Sequence, residues 1–266
     1  MLRSSLLTRT ASAIVLLPIV LGVLYIGGNL FFAMLAVVLG LATFEFVQLM
    51  EKGDFRPALV ISWGFTTIGL FVAKDPEGAW LRPAMAILLG LALVYHLFHS
   101  QRPAPTADWA LTIVGGLYVG WMGGHLFSLR QLPDGFQWVL LTLLITWCAD
   151  TGAYLVGSTL GRRKLAPKIS PGKTIEGTVG GWLTGIIIGG VLTGILGIGV
   201  AYGLVLGALI GVASLLGDLG ISMMKRQVGA KDSSRLIPGH GGMLDRLDSI
   251  LFTAVISYYF IELAFM

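Results

Sequence analysis

Between Asp218 and Asp248 this 266-residue chain concentrates groups able to bind phosphate and metal ions. Asp218, Ser222 and Lys225 recur at i, i+4 and i+7, a spacing that puts them on one face of a helix. Asp245 and Asp248 follow at i and i+3, with Arg246 between them, where another apolar run begins. Oxygen ligands of this kind suit a hard cation such as Mg²⁺, which one or two carboxylates commonly hold while substrate phosphates complete its shell. The expected metal ligands are Asp218, Asp245 and Asp248. A plainer role is also open to Asp245 and Asp248, because negative charge at a helix N-terminus is favoured by the macrodipole. Pro238-Gly239-His240-Gly241-Gly242 lies between these acids, and its glycines let backbone N–H groups point at an anion. With Lys225, Arg226, Lys231 and Arg235 it makes a cradle for several phosphates. His240 is open to two readings, proton transfer or a hydrogen-bonding loop residue.

A second charged segment runs from Gly161 to Gly177 and carries Arg162, Arg163, Lys164, Lys168, Lys173 and Glu176. Gly172-Lys173-Thr174 looks like the end of a nucleotide-binding P-loop, but Pro167 stands where the first glycine belongs. What remains is a cationic loop running into Glu176 at a helix start. Topology anchoring accounts for Arg162 to Lys164 and poorly for Lys173 and Glu176. Asp150 interrupts another apolar run and forms a polar patch with Thr151 and Tyr154; intramembrane carboxylates are functional candidates by default. Glu45 and Glu262 are weaker cases. His96, His99 and His125 show no metal-ligand spacing, and the single Cys148 excludes an internal disulfide.

These groups must be mounted on membrane helices, since 55% of the residues are hydrophobic and only 12% charged, against roughly 25% charged in an ordinary soluble domain. A helix needs about 20 apolar residues to cross a bilayer. That rule yields nine spans, at about 11–27, 30–50, 57–73, 82–98, 107–127, 137–158, 175–196, 200–222 and 247–265. Arg3 and Arg9 before the first run mimic a signal peptide, but Ala11, Ser12 and Ala13 precede its apolar core and no such group follows it, so a retained span is expected. The fold class is all-α, polytopic, a single integral membrane domain over 1–266, with N-terminal helices in 1–136 and catalytic helices and cytoplasmic loops in 137–266. Of the 18 Lys and Arg, 15 fall in one set of alternate segments, leaving only Lys74, Arg82 and Arg130 in the other. That bias places the N-terminus and both basic loops in the cytoplasm and the C-terminus outside. Gly177, Gly181, Gly185 and Gly189 recur every four residues in the seventh span, as do Gly203, Gly207 and Gly211 in the eighth. Such stripes let neighbouring backbones approach closely, which would fix the positions of Glu176 and Asp218.

One resemblance rests on the basic and acidic stretch itself. Ser222-x-Met224-Lys225-Arg226, then Lys231-Asp232-x-Ser234, then Leu236-Ile237-Pro238-x-His240-Gly241-Gly242-Met243-x-Asp245-Arg246-Leu247-Asp248 resembles the signature of the phosphatidate cytidylyltransferases. Ser170-Pro171-x-Lys173-Thr174-x-Glu176-Gly177 is similar to a second motif of that family. The compact chain suggests a bacterial plasma membrane and the charge bias puts the basic loops on its cytoplasmic side; the resemblance implies a multi-pass membrane enzyme that joins CTP and phosphatidic acid into CDP-diacylglycerol and releases pyrophosphate. It implies Mg²⁺, a second metal ion of unstated identity, a metal pair on Asp218 and Asp245, a homodimer, and no nucleic-acid partner. The catalytic set is then Lys225, Arg226, Asp245, Asp248 and Lys173. Substrate contacts fall to Ser170, Lys173, Glu176, Ser222, Lys231, Asp232, His240, Gly241, Gly242, Arg246 and Asp150. Two other functions stay open at this point: a CTP-dependent lipid kinase, and an ion-coupled transporter using Asp150, Asp218 and Glu45. A CDP-alcohol phosphotransferase is disfavoured, because its DGxxAR pattern is missing.

Overall fold

The computed structural model describes Ile14, residues 17–234, Leu236 and residues 241–266. The basic N-terminal residues and Ala11 to Ala13 therefore lie outside the described residues, as do Arg235, Pro238, Gly239 and His240. The described chain is almost wholly helical, in the order α1 (Leu17–Ile26), α2 (Gly28–Glu51), α3 (Leu59–Lys74), α4 (Leu81–Phe98), α5 (Pro105–Gln131), α6 (Gly135–Thr159), α7 (Ile175–Ile195), α8 (Val200–Gln227) and α9 (Leu244–Phe265). Seven of these, α2 and α4 to α9, are long and apolar enough to cross a membrane; α1 and α3 are shorter. The chain is a multi-pass membrane protein. Alpha-3 has 16 residues, about 24 Å at the helical rise. Prolines bound it, Pro57 before its cap at Ala58 and Pro76 after Asp75, and the residue preceding a proline is driven out of helical geometry.

Two compact units form. The first contains Met1–Gln131 and Gln227–Leu247, the second Leu132–Arg226 and Asp248–Met266. In the first unit α3 and α5 approach at backbone distance. Side-chain atoms added at Gly116 and Gly120 of α5 would meet the backbone of Ser62 and Thr66, and one at Gly69 of α3 would meet that of Trp121. The polar residues on this seam satisfy each other: Ala58 N–H donates to Thr112 Oγ1 (2.8 Å), Ser62 Oγ to the Thr112 carbonyl (2.9 Å) and Arg56 N–H to Asp108 Oδ1 (2.6 Å). Asp108, only 2% exposed, thus caps the chain entering α3.

In the second unit the glycine stripe of α7 does what its spacing predicts. Gly181 lies against Ala149 and Ala153 of α6, while Gly185 and Gly189 lie against Gly207 and Gly203 of α8. Ile145, Leu206 and Ile210, with Ile188, Leu192 and Phe260 packed on them, fill the core where these helices meet α9. Gly217 brings α8 against the backbone of Asp248 in the first turns of α9. Outside the helices, Lys164–Ala166 (β1) pairs antiparallel with Ser170–Thr174 (β2), matching Lys164 with Thr174 and Ala166 with Ser170. The segment expected as a loop is therefore a hairpin that leads directly into α7.

Candidate active site

In the second unit, β2 and α8 bring opposite charges together. Lys173 Nζ stands 2.6 Å from Asp218 Oδ2, with both side chains about a quarter to a third exposed. The other oxygen of Asp218 accepts from the buried Ser222 Oγ at 3.1 Å, one helical turn on. The i, i+4 relation read from the sequence is thus a real hydrogen bond. Asp150 on α6 accepts from Ser214 Oγ of α8 at 2.5 Å. Asp248 uses one oxygen to accept from the N–H of Ser249 at 2.8 Å. Asp150 and Asp248 both feel the negative charge of Asp218, offset by Lys173 at Asp150 and by Lys225 at Asp248. Lys225 and Arg226 occupy the last turn of α8, which continues past the expected end at 222. Cations there also complement the helix dipole. Arg226 Nε donates to the Ile169 carbonyl in the β1–β2 turn at 3.1 Å.

The hairpin has its own fastening. Glu176, in the first turn of α7, accepts from the N–H of Arg162 (3.0 Å) and of Arg163 (3.1 Å), while Ile175 N–H donates to the Arg163 carbonyl at 2.9 Å. Thr174 caps α7 by accepting from Gly177 N–H at 3.1 Å. Gly172, Lys173 and Thr174 lie within β2 itself and not in a loop between strand and helix, so the P-loop likeness has no structural counterpart. The strand instead fixes Lys173, and Ser170 begins it, half-buried.

In the first unit a second acidic centre gathers around Asp245. Its Oδ2 accepts from Ser233 N–H (2.9 Å), Ser233 Oγ (2.9 Å) and Gly242 N–H (3.0 Å). Gly241 adopts φ +82°, a left-handed turn that favours glycine and lets the backbone fold over this carboxylate. Gly242 has no room for a side chain, because Ser233 and Glu45 fill that space. Glu45, which sequence reading ranked low, accepts from Ser233 Oγ, Ser234 Oγ, Met243 N–H and Leu244 N–H. Its signal was only a carboxylate inside an apolar run. Lys52 Nζ donates to the Ser233 carbonyl at 3.2 Å and also lines an open polar cleft of about 560 Å³ with Gln48, Glu51 and Arg56. Lys231, Asp232 and Arg246 are exposed. His240 lies outside the described residues.

A cation fits the donor chemistry at Asp218, where an ammonium already balances one carboxylate oxygen. Among the described residues no group of three or more His, Cys, Asp or Glu side chains stands close enough to hold a metal ion. One or two carboxylates suffice for Mg²⁺ when phosphate oxygens supply the remainder.

Comparison with known proteins agrees with this chemistry. The profile described as the Cytidylyltransferase family matches residues 7–264. The phosphatidate cytidylyltransferase of Synechocystis sp. is 34% identical over 286 residues, covering 96% of both chains. That of Brucella suis is 34% identical over 261 residues, covering 97% of this chain and 93% of its own. A Staphylococcus aureus phosphatidate cytidylyltransferase is 32% identical over 252 residues, covering 92% and 94%. From its helices to its charged motifs, the chain belongs to the cytidylyltransferase family.

Proposed function

We propose that this chain transfers the cytidylyl group of CTP to phosphatidic acid, giving CDP-diacylglycerol and pyrophosphate in phospholipid synthesis. Near-full-length similarity to phosphatidate cytidylyltransferases supports the reaction. The observation that carries it into this structure is the Lys173–Asp218 pair: a lysine that can turn to phosphate, beside a carboxylate that can take a metal ion in its place. In the reaction an oxygen of the lipid phosphate forms a bond to the α-phosphorus of CTP. The bond from that phosphorus to the oxygen bridging the α- and β-phosphates breaks, and pyrophosphate leaves with the electron pair. A lipid phosphate is already an oxyanion near neutral pH, so the protein needs no strong base. Its task is to gather two anions and neutralise their charge.

Lys173, Lys225 and Arg226 serve the departing pyrophosphate, and Asp150 and Ser222 orient the groups around Asp218. By the family resemblance, Asp218, Asp245 and Asp248 are each candidate ligands that would hold Mg²⁺. When bound, the metal neutralises nucleotide phosphates and polarises the attacked phosphorus. The enzyme works as a homodimer in a bacterial plasma membrane, with this site and the N-terminus facing the cytoplasm. The charge bias supports that orientation, as does the use made of the sparse cations on the other side. Arg130 donates to the carbonyls of Leu24 and Tyr25 at the end of α1, and Lys74 donates to Asn29 and lies 4.6 Å over the Phe32 ring. Purified chain in detergent, given CTP, Mg²⁺ and phosphatidic acid, should release pyrophosphate and form CDP-diacylglycerol in equal amounts. CDP in place of pyrophosphate, formed only with a lipid alcohol, would make the chain a kinase instead.

A further inference from the structure

Glu45 breaks the apolar run of α2 and is 1% exposed. A carboxylate so placed is very unfavourable unless its acceptor positions are filled. They are filled symmetrically. Oε1 takes the hydroxyl of Ser234 (2.6 Å) and the N–H of Met243 (2.9 Å); Oε2 takes the hydroxyl of Ser233 (3.1 Å) and the N–H of Leu244 (2.8 Å). Each oxygen therefore receives one donor from before the segment 235–242 and one from after it. A single carboxylate clasps the two flanks of residues 235–242, within the stretch that resembles the family's signature, at the point where α9 begins.

The clasp reaches Asp245 through Ser233. That hydroxyl lies within hydrogen-bonding distance of both Glu45 Oε2 and Asp245 Oδ2, and the Ser233 N–H donates to the same Asp245 oxygen. One hydroxyl hydrogen is thus shared between a buried anchor and an acid in the first turn of α9. Ser234 is directed too: its oxygen accepts from Leu236 N–H at 3.0 Å, which leaves its hydrogen for Glu45. We propose that Glu45 is a positioning residue for cytidylyl transfer, presenting Asp245 in one orientation without itself touching substrate. The role rests on the function proposed above.

The donor pattern explains why the residue is glutamate. Glutamine would keep one acceptor oxygen and turn an NH₂ toward the N–H of Met243 or Leu244, setting donor against donor. Aspartate would keep both oxygens but is one methylene short. The Glu45→Gln chain should lose about 30-fold in kcat while KM for CTP stays within about threefold, as expected when a group is misplaced and not removed. Glu45→Asp should recover part of that loss. By hydrogen exchange and mass spectrometry, the amides of residues 243–247 should exchange at least about tenfold faster in Glu45→Gln, with α6 and α7 unchanged. Ser234→Ala, which leaves the buried charge in place, should shift the same amides by a smaller factor and lower kcat about threefold. Exchange at 243–247 unchanged in both variants overturns the proposal. So does faster exchange spread evenly through the first unit, which would make Glu45 a support of the fold alone. A wild-type chain that turns over no CTP with phosphatidic acid sinks the reaction and the positioning role with it, whereas localised exchange would still establish the clasp.

Discussion

The carboxylates of the two units keep opposite company. In the first unit, Glu45 and Asp245 are surrounded by hydroxyls and backbone N–H groups from Ser233, Ser234 and residues 242–244. In the second, Asp218 faces a lysine and a serine, Asp150 a serine, and Asp248 the N–H of its own neighbour. Backbone donors cannot leave without unfolding the turn that carries them, so carboxylates filled by them fix the chain. An ammonium or a serine hydroxyl can turn away at little cost, so carboxylates filled by those can exchange a partner for a ligand. Glu45 therefore builds, whereas Asp218 and Asp150 are held ready to bind. Asp245 has a part in both, because its Oδ2 is engaged by the turn while its place in the first turn of α9 matches the family's acidic motif.

The strongest attempt to break this contrast is Asp218→Asn. If Asp218 is a ligand, its loss should lower turnover at least about 100-fold, or about 2.7 kcal/mol in the transition state, while the protein still accumulates in the membrane. Pyrophosphate release from CTP and phosphatidic acid measures the first, and immunoblotting of membrane fractions the second. Activity within a factor of three would leave Asp218 as no more than the counter-ion of Lys173. Asp245→Asn should retain less than about a tenth of wild-type activity and should also speed amide exchange around Gly242, because both of its functions are cut. An activity loss without the exchange change would mean that the turn does not depend on Asp245. Lys173→Ala comes next, with kcat/KM for CTP reduced about 30-fold and Lys173→Arg intermediate. An unchanged dependence on CTP would remove Lys173 from the nucleotide site and leave it only a structural partner of Asp218.

How far the sequence reveals these roles depends on how local each one is. Most spans were legible because hydropathy and length act within one segment, and α2 and α4 to α9 follow the expected ranges closely; α1 is described only over Leu17–Ile26, and α3 is short because prolines lie at both ends. The α7 glycine stripe was legible as a packing face, though nothing local says that α6 and α8 are its partners. The hairpin was not legible. A strand reading Ser170-Pro171-Gly172-Lys173-Thr174 violates strand propensity, and it forms where Glu176 fastens the chain before β1 and the adjoining helix is capped. In the site, the residue types and the Asp218–Ser222 spacing were visible, whereas Lys173 as the cation partner of Asp218 was not. Glu45 was least legible of all, because its donors lie from 188 to 199 positions along the chain. A lone acid in an apolar run signals a function without naming its partners.

The gentlest test concerns Glu176, which sequence reading placed among substrate contacts but which the structure binds to the N–H groups of Arg162 and Arg163. By the contrast between the units, a carboxylate filled by backbone belongs to the building class even though it stands in the second unit, close in sequence to Lys173. Glu176→Gln keeps one acceptor oxygen and the length of the side chain, so the hairpin should loosen without being lost. Activity should fall only about threefold, the scale of one weakened hydrogen bond. Trypsin should cut after Arg162, Arg163 or Lys164 more rapidly in vesicles with that face exposed, since cleavage follows local opening. A drop of about 100-fold with the trypsin sites unchanged would give the opposite answer: Glu176 would then meet substrate, and filling by backbone N–H groups would no longer separate carboxylates that build from those that bind.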